Sequence, residues 1–239
     1  MAQNKELYEE KDLRTHVYDA PDTYAGGDNK IQDNLPIFKD GKIEFCDIEY
    51  IPVLYNMFNE GVVNARDQVV RLLSNPNANQ VTKIKFNFDP ETNEISIYND
   101  GDGILIEKHS SGVYNPELIF GRLLTSSNYK KNEKKIVGGK NGYGAKIINI
   151  FSNHFTVETV DAVTKQKYIQ SFHKNMTVID KPVIKKCSAK PYTKISWITD
   201  FKRFGIEKLS DDMVAFMKRR IYDIAGVTDN KVSVYFNDE

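Results

Sequence analysis

Cysteine is scarce: Cys46 and Cys187 are the only two in 239 residues, and they lie far apart. Neither a disulfide framework nor a thiolate metal cage can be built from them, and the pattern fits reduced thiols of an intracellular protein. No apolar run approaches the roughly 20 residues that a membrane-spanning helix needs. The opening stretch, MAQNKELYEEKDLRTH, lacks the apolar core of a secretory signal. An excess of one charge is missing too. Lys+Arg and Asp+Glu both number 33, so no net field draws the whole chain to nucleic acid or membrane. There is no internal repeat. What remains, 40% hydrophobic and 28% charged residues, is ordinary for a soluble globular protein. The length suits one large α+β domain, or one domain with an appendage.

Positive charge is concentrated locally. Lys130, Lys131, Lys134, Lys135, Lys140 and Lys146 crowd around GGKNGYGAK, residues 138–146. Glycine lets backbone approach a ligand closely, and the apolar run that follows, Ile147 to Phe151, reads as a helix. Together they suggest a phosphate cradle charged by Lys140 and Lys146. The P-loop pattern is not met, because Ala145 stands where its lysine belongs, and Ile147 replaces the third glycine of a dinucleotide fingerprint. Alone the motif is weak, since a mobile surface loop can have the same composition.

Taken in order, the chain begins with a polar arm and a turn-rich stretch, VYDAPDTYAGGDNK (17–30). LPIFKDGKIEFC (35–46) predicts a hairpin turning at Asp40-Gly41. A long helix is expected from Asp47, as its cap, to Ser74, with Pro52 tolerated near the start. Ile51, Leu54, Tyr55, Phe58, Val62, Ala65, Val69 and Leu72 make its apolar stripe. Glu60, Asn64, Asp67 and Arg71 share another face, which on an isolated helix is most simply a solvated one. Gly61 costs that helix about 1 kcal/mol relative to alanine, so a close approach there is one reading. VTKIKFNF (81–88) and EISIYND (94–100) form a second hairpin, which ends in Asn99-Asp100-Gly101-Asp102-Gly103. That end is an ordinary turn or a place where glycines admit a flat ligand; it lacks the ligands of an EF-hand.

NPELIFGRLL (115–124) reads as a helix, and the lysine-rich TSSNYKKNEKKIV after it as a lid. Residues 152–160, 166–173, 176–186 and 192–200 alternate as strands of an antiparallel meander. A last helix, 209–226, is capped by Ser210, favoured by Asp211 and Asp212, and ended by Gly226. Met213, Val214, Met217, Ile221 and Ile224 form its core stripe. KVSVYF (231–236) is a final strand, and its nearness to the end suggests a piece of a longer protein.

Three pieces occur in one order: Glu60-x-x-x-Asn64-Ala65-x-Asp67, Asn99-x-Gly101-x-Gly103, and Gly139–Lys146. This set resembles the Bergerat (GHKL) nucleotide-binding fold of gyrase, Hsp90, MutL and histidine kinases. LIFGRLLTSSNY (118–129), EKKIVGGKNGYGAKIINIFSNHFTVET (133–159), APDTYAGG (20–27) and MVAFMKRRIYDIAGVT (213–228) are similar to the ATPase region of eukaryotic-type type IIA DNA topoisomerases. The resemblance covers nearly the whole chain and is most specific over 133–159. It implies an α+β, two-layer sandwich: a mixed, mostly antiparallel sheet with helices on one face. It also implies an N-terminal arm (1–27), an ATPase domain (28–239) and a lid at about 121–146.

By position, the resemblance makes Glu60 the general base that activates water and Asn64 the Mg²⁺ ligand. Asp67 shapes the adenine end through water. Asn99 holds the adenine amine, supported by Thr193, beside Gly103. Ser126, Ser127 and Asn128 touch ribose and phosphate. Gly139, Lys140, Asn141, Gly142, Tyr143, Gly144, Ala145 and Lys146 wrap the triphosphate, Lys146 giving the clearest charge. ATP and Mg²⁺ are the implied cofactors; a second copy of the chain and, for a full-length enzyme, double-stranded DNA are the implied partners, with no membrane. The compartment is the nucleus for a cellular member, and a cytoplasmic factory or virion for a virus-encoded one.

There are departures. Asn59 replaces the family's acidic residue before the glutamate, Gly61 a larger apolar residue, and Gln68 an asparagine. They suggest a distant lineage, a viral one among the options. The transducer lysine and the DNA gate's tyrosine would lie beyond Glu239, so slow turnover is expected of this chain. An ATP-gated chaperone clamp would share the pocket but not the loop wording. A histidine kinase is disfavoured, because none of His16, His109, His154 and His173 sits in a dimerisation-helix pattern.

Overall fold

The computed structural model describes residues 11–123 and 143–239. Its frame is an eight-stranded sheet in the order β10-β3-β4-β9-β5-β6-β7, with β8 also on β6. The strands are β3 (Lys83–Phe88), β4 (Glu94–Asp100), β5 (Ser152–Val160), β6 (Gln166–His173), β7 (Val178–Ile179), β8 (Val183–Lys186), β9 (Tyr192–Thr199) and β10 (Ser233–Phe236). β10 runs parallel to β3, and the other pairs are antiparallel. A separate hairpin, β1 (Ile31–Lys39) and β2 (Lys42–Tyr50), turns at Asp40 and Gly41. Both turn residues have positive φ, 50° and 80°, as a tight primed turn requires.

Helices α1 (Leu13–Asp19), α2 (Pro52–Leu73), α3 (Asn115–Gly121), α4 (Gly144–Ile150) and α5 (Asp211–Gly226) complete the described fold. One sheet face supplies Ile84, Phe86, Ile95, Ile97, Phe155, Val157, Ile195 and Trp197 to the core, all buried. The expected stripe of α2 packs there: Ile51, Leu54, Phe58, Val62, Ala65, Val69 and Leu72 are buried. The stripe of α5 does the same through Met213, Met217, Ile221 and Ile224, and Ser210 Oγ accepts from Met213 N–H at 3.2 Å. The sandwich matches the implied fold class.

Three local expectations change. Asp47 is not a helix cap; it lies in β2 opposite Asn34, whose amide donates to it at 2.7 Å. The helix begins at Pro52, where a missing N–H costs nothing because first-turn N–H groups have no intrahelical acceptor. The four later strands are not one meander. β9 inserts between β4 and β5, and the 176–186 stretch breaks into β7 and β8 around Pro182. Strand alternation reports which face is buried but not which neighbour is paired. Finally, the start of the stretch read as a turn-rich loop is helical, because α1 runs from Leu13 to Asp19. Val17 of α1 is fully buried, Tyr18 stacks on Phe151, and Arg203 Nη2 donates to Tyr18 O at 2.6 Å.

The loop after β4 is held by one buried carboxylate. Asp161 accepts from Ile106 N–H (3.0 Å), Val163 N–H (2.9 Å), Thr164 N–H (3.3 Å) and the Thr164 hydroxyl (2.6 Å). Burial pushes its pKa up, but these donors outweigh burial and leave it below the ordinary value. Its stabilising contribution is therefore full above the unfolded pKa and lost as pH falls through the lower folded one. Asp161→Asn puts an NH₂ among donors and is expected to cost about 2–3 kcal/mol at pH 7. Urea denaturation should show the gap from the parent narrowing below about pH 4; a gap constant with pH would refute the carboxylate's role.

Candidate functional site

Glu60 and Gly144 meet at the centre of the helical layer. An ideal Cβ built on Gly144 would fall 1.9 Å from Glu60 Oε2 and 2.7 Å from its Cδ. The carboxylate therefore packs directly on the first residue of α4, and a side chain at position 144 would displace it. Gly61 explains why α2 lies so close to the sheet. A Cβ there would be 2.5 Å from Ile97 Cδ1 on β4 and 3.4 Å from Ile148 Cδ1 on α4. The glycine that weakens the isolated helix is where α2 meets Ile97 of β4 more closely than a side chain would allow with Ile97 in its present position.

Burial and then the nearby Asp67 carboxylate raise the Glu60 pKa above the ordinary glutamate value, as suits a proton acceptor. Asp67 is buried and Asn64 exposed, so the polar face of α2 runs from the interior to solvent. Asn59 Oδ1 accepts from Arg220 Nε at 2.7 Å, which ties the residue before Glu60 to α5. Lys146 is buried on α4, and burial lowers its pKa to about 8. Its charge is thus less firmly fixed near neutral pH than the sequence suggested.

Asn99 and Thr193 are direct cross-strand partners on β4 and β9. The Asn99 amide nitrogen donates to Asp100 O at 2.8 Å, which turns its side-chain oxygen into the available acceptor. Beside them Thr159, missed in the sequence, is fully buried. Its hydroxyl donates to Tyr192 O at 2.8 Å, accepts from Ile104 N–H at 2.9 Å, and lies 3.2 Å from Thr193 Oγ1. Gly103, at φ 69°, lets the loop pass over β5: a Cβ would be 2.0 Å from Val160 O. Strand alternation alone does not single out Thr159, because its role depends on β9 lying next to β5.

An open cleft of about 350 Å³ borders Glu60. It is lined by Thr23, Tyr24, Asn56, Asn59 and Ile147, among others, and Asn56 Nδ2 donates to Ala25 O at 2.6 Å. The sequence reading missed this cleft, because it forms only when the 20–27 turn folds back on α2. Tyr24 also meets Tyr143 edge-on, with ring centroids 5.5 Å apart. Ser126, Ser127, Asn128, Gly139, Lys140, Asn141 and Gly142 lie outside the described residues. The structure brings Glu60 against Gly144 and Asn99 against Thr193.

No family model matches the chain. It is 43% identical over 98% of its length to a DNA topoisomerase 2 of Acanthamoeba polyphaga mimivirus, and 43% identical over 98% to that of Pisum sativum. It spans only 18% and 16% of those proteins. Among solved structures, the ATPase region of Saccharomyces cerevisiae topoisomerase II superposes with a TM-score of 0.90 at 38% identity, covering 97% of this chain and 61% of that one. The ATPase and transducer domains of the Balamuthia mandrillaris enzyme give 0.91 at 38% identity, covering 100% and 61%. With the implied fold present and the sequence matched along its length, this chain is a counterpart of the GHKL-type ATPase region of DNA topoisomerase II.

Proposed function

We propose that this chain is the ATP-operated gate of a type IIA DNA topoisomerase. The observation that supports it most is the Glu60 carboxylate packed on Gly144, where α2 and the cradle's helix meet. Glu60 takes a proton from the attacking water; its raised pKa keeps it basic enough to do so. Asn99 accepts from the adenine amine through its free oxygen, and Thr193 and Thr159 hold that strand end. Tyr143, Gly144, Ala145 and Lys146 begin the helix against the phosphates, with the flanking cradle residues completing the wrap.

A magnesium ion fits the donor set. Asn64 offers one hard oxygen from an exposed position one turn beyond Glu60. Among the described residues no group of three or more His, Cys, Asp or Glu side chains could hold a metal. That suits an ion bound mainly by phosphate oxygens and water. When bound, Mg²⁺ supplies charge neutralisation on the phosphates. Positioning and charge, more than covalent chemistry, therefore carry the reaction.

Nucleotide binding would pair two copies, close the gate on a DNA segment, and let hydrolysis reopen it. ATP does this only if it binds the paired form more tightly. Among the described residues no helix is long and apolar enough to cross a membrane. The working compartment is the nucleus in a cell-encoded protein, and a cytoplasmic factory or virion in a virus-encoded one.

Two measurements test the reading. Calorimetry should detect one ATP per chain, abolished by Asn99→Ala. Light scattering should show a monomer or weak dimer without nucleotide and a larger dimer fraction with a non-hydrolysable analogue. Absence of nucleotide binding would defeat the proposal. Binding without pairing would leave the pocket and remove the gate.

A further inference from the structure

The outer sheet face, away from the helices, carries a constellation that the nucleotide site does not use. His154 on β5 and His173 on β6 are directly opposed, and both are half-buried. Their Nδ1 atoms are 3.1 Å apart. Each ring is held from behind. His173 Nε2 lies 3.0 Å from Asp180 Oδ2, and His154 Nε2 lies 3.0 Å from Thr156 Oγ1. Thr156 Oγ1 is in turn 3.0 Å from Ser171 Oγ.

The protonation pattern follows from the partners. An ionised carboxylate only accepts, so neutral His173 carries its proton on Nε2 and presents a lone pair at Nδ1. With both rings neutral, His154 donates Nδ1–H to that lone pair and accepts the Thr156 hydroxyl at Nε2. If the His154 proton moves from Nδ1 to Nε2, the hydroxyl turns toward Ser171, and both Nδ1 atoms are left unprotonated 3.1 Å apart. No net proton is gained or lost. We propose that His154 and His173 form a two-imidazole clamp for a borderline divalent transition metal, Zn²⁺ or Cu²⁺, with water completing its shell.

The distance supports this. Metal–nitrogen bonds of about 2.0–2.1 Å place two ligating nitrogens roughly 2.9 Å apart at a right angle and roughly 3.3 Å apart in a tetrahedron. The observed separation lies between those limits. The Asp180 carboxylate behind His173 is the kind of second partner that orients a metal-binding imidazole and raises its basicity. With only two protein ligands the site is open and exchangeable, and metal binding staples β5 to β6.

The test uses the tag-free 239-residue chain, reduced and without nucleotide. Zn²⁺ calorimetry should detect one equivalent. His154→Gln and His173→Gln should each weaken it by more than about 10-fold, and Asp180→Asn by about 10-fold. Cu²⁺ electron paramagnetic resonance should show coupling to two imidazole nitrogens, lost in either histidine variant. Far-ultraviolet circular dichroism and metal-free melting unchanged from the parent exclude misfolding, and a Cys46→Ser, Cys187→Ser double variant should bind normally. Equal affinity in the parent and both histidine variants would overturn the proposal, as would no binding at millimolar Zn²⁺.

Discussion

Glu60→Gln is expected to lower single-turnover ATP hydrolysis by about 100-fold or more while leaving nucleotide affinity nearly unchanged. Glutamine keeps the shape that packs on Gly144 but cannot accept a proton. The pH dependence gives a second readout. Burial and then Asp67 raise the Glu60 pKa, so turnover should fall as acid is added before the ordinary glutamate range is reached. The sign for stability is opposite to the usual carboxylate case. A raised folded pKa means that the ionised form opposes folding, and the penalty grows as pH rises through the unfolded value toward the folded one. Glu60→Gln should therefore melt no lower than the parent at neutral pH while losing hydrolysis. Rapid-quench kinetics and thermal melts check both; undiminished turnover would remove Glu60 as the base.

Gly103→Ala is expected to have the largest structural effect, about 3 kcal/mol or more, with loss of nucleotide binding. Its φ of 69° already disfavours an L side chain, by about 1–2 kcal/mol. The added Cβ would also meet Val160 O at 2.0 Å and Val160 C at 2.9 Å. Both are backbone of the central strand β5, so neither can swing aside as a side-chain tip can. The Ile104 N–H bond to Thr159 Oγ1, one residue on, would break with any retreat of the loop. Gly112 is the control: its φ is 84° but nothing lies within 4 Å of its Cβ position, so Gly112→Ala should cost only the backbone strain. Urea denaturation of both variants separates strain from collision. Equal losses would show that close approach to β5 does not matter.

The elements were readable from local pattern. The apolar stripes of α2 and α5, the Ser210 cap and the Asp40-Gly41 turn depend on residues a few positions apart, and each sits where its periodicity places it. Local pattern failed at Asp47, a good cap by residue type that pairs with Asn34 across a hairpin instead. In the site, the order of Glu60, Asn99 and the glycine-rich motif was visible through resemblance. Neither Thr159 nor the cleft beside Tyr24 was visible, because each is made of residues remote in sequence.

The sequence by itself determined which residues are apolar, where helices and strands form, and which side chains have chemistry to offer. Only the tertiary structure decided that β9 lies between β4 and β5, which puts Thr193 beside Asn99 and Thr159 on the far side of Thr193. It alone decided that Gly61 and Gly144 are clearances for neighbouring atoms, and that burial shifts the proton affinities of Glu60 and Lys146 in opposite directions. The reason is physical. Periodicity acts over a few residues, whereas strand neighbours, close approach and desolvation depend on atoms that the chain brings together only when it folds.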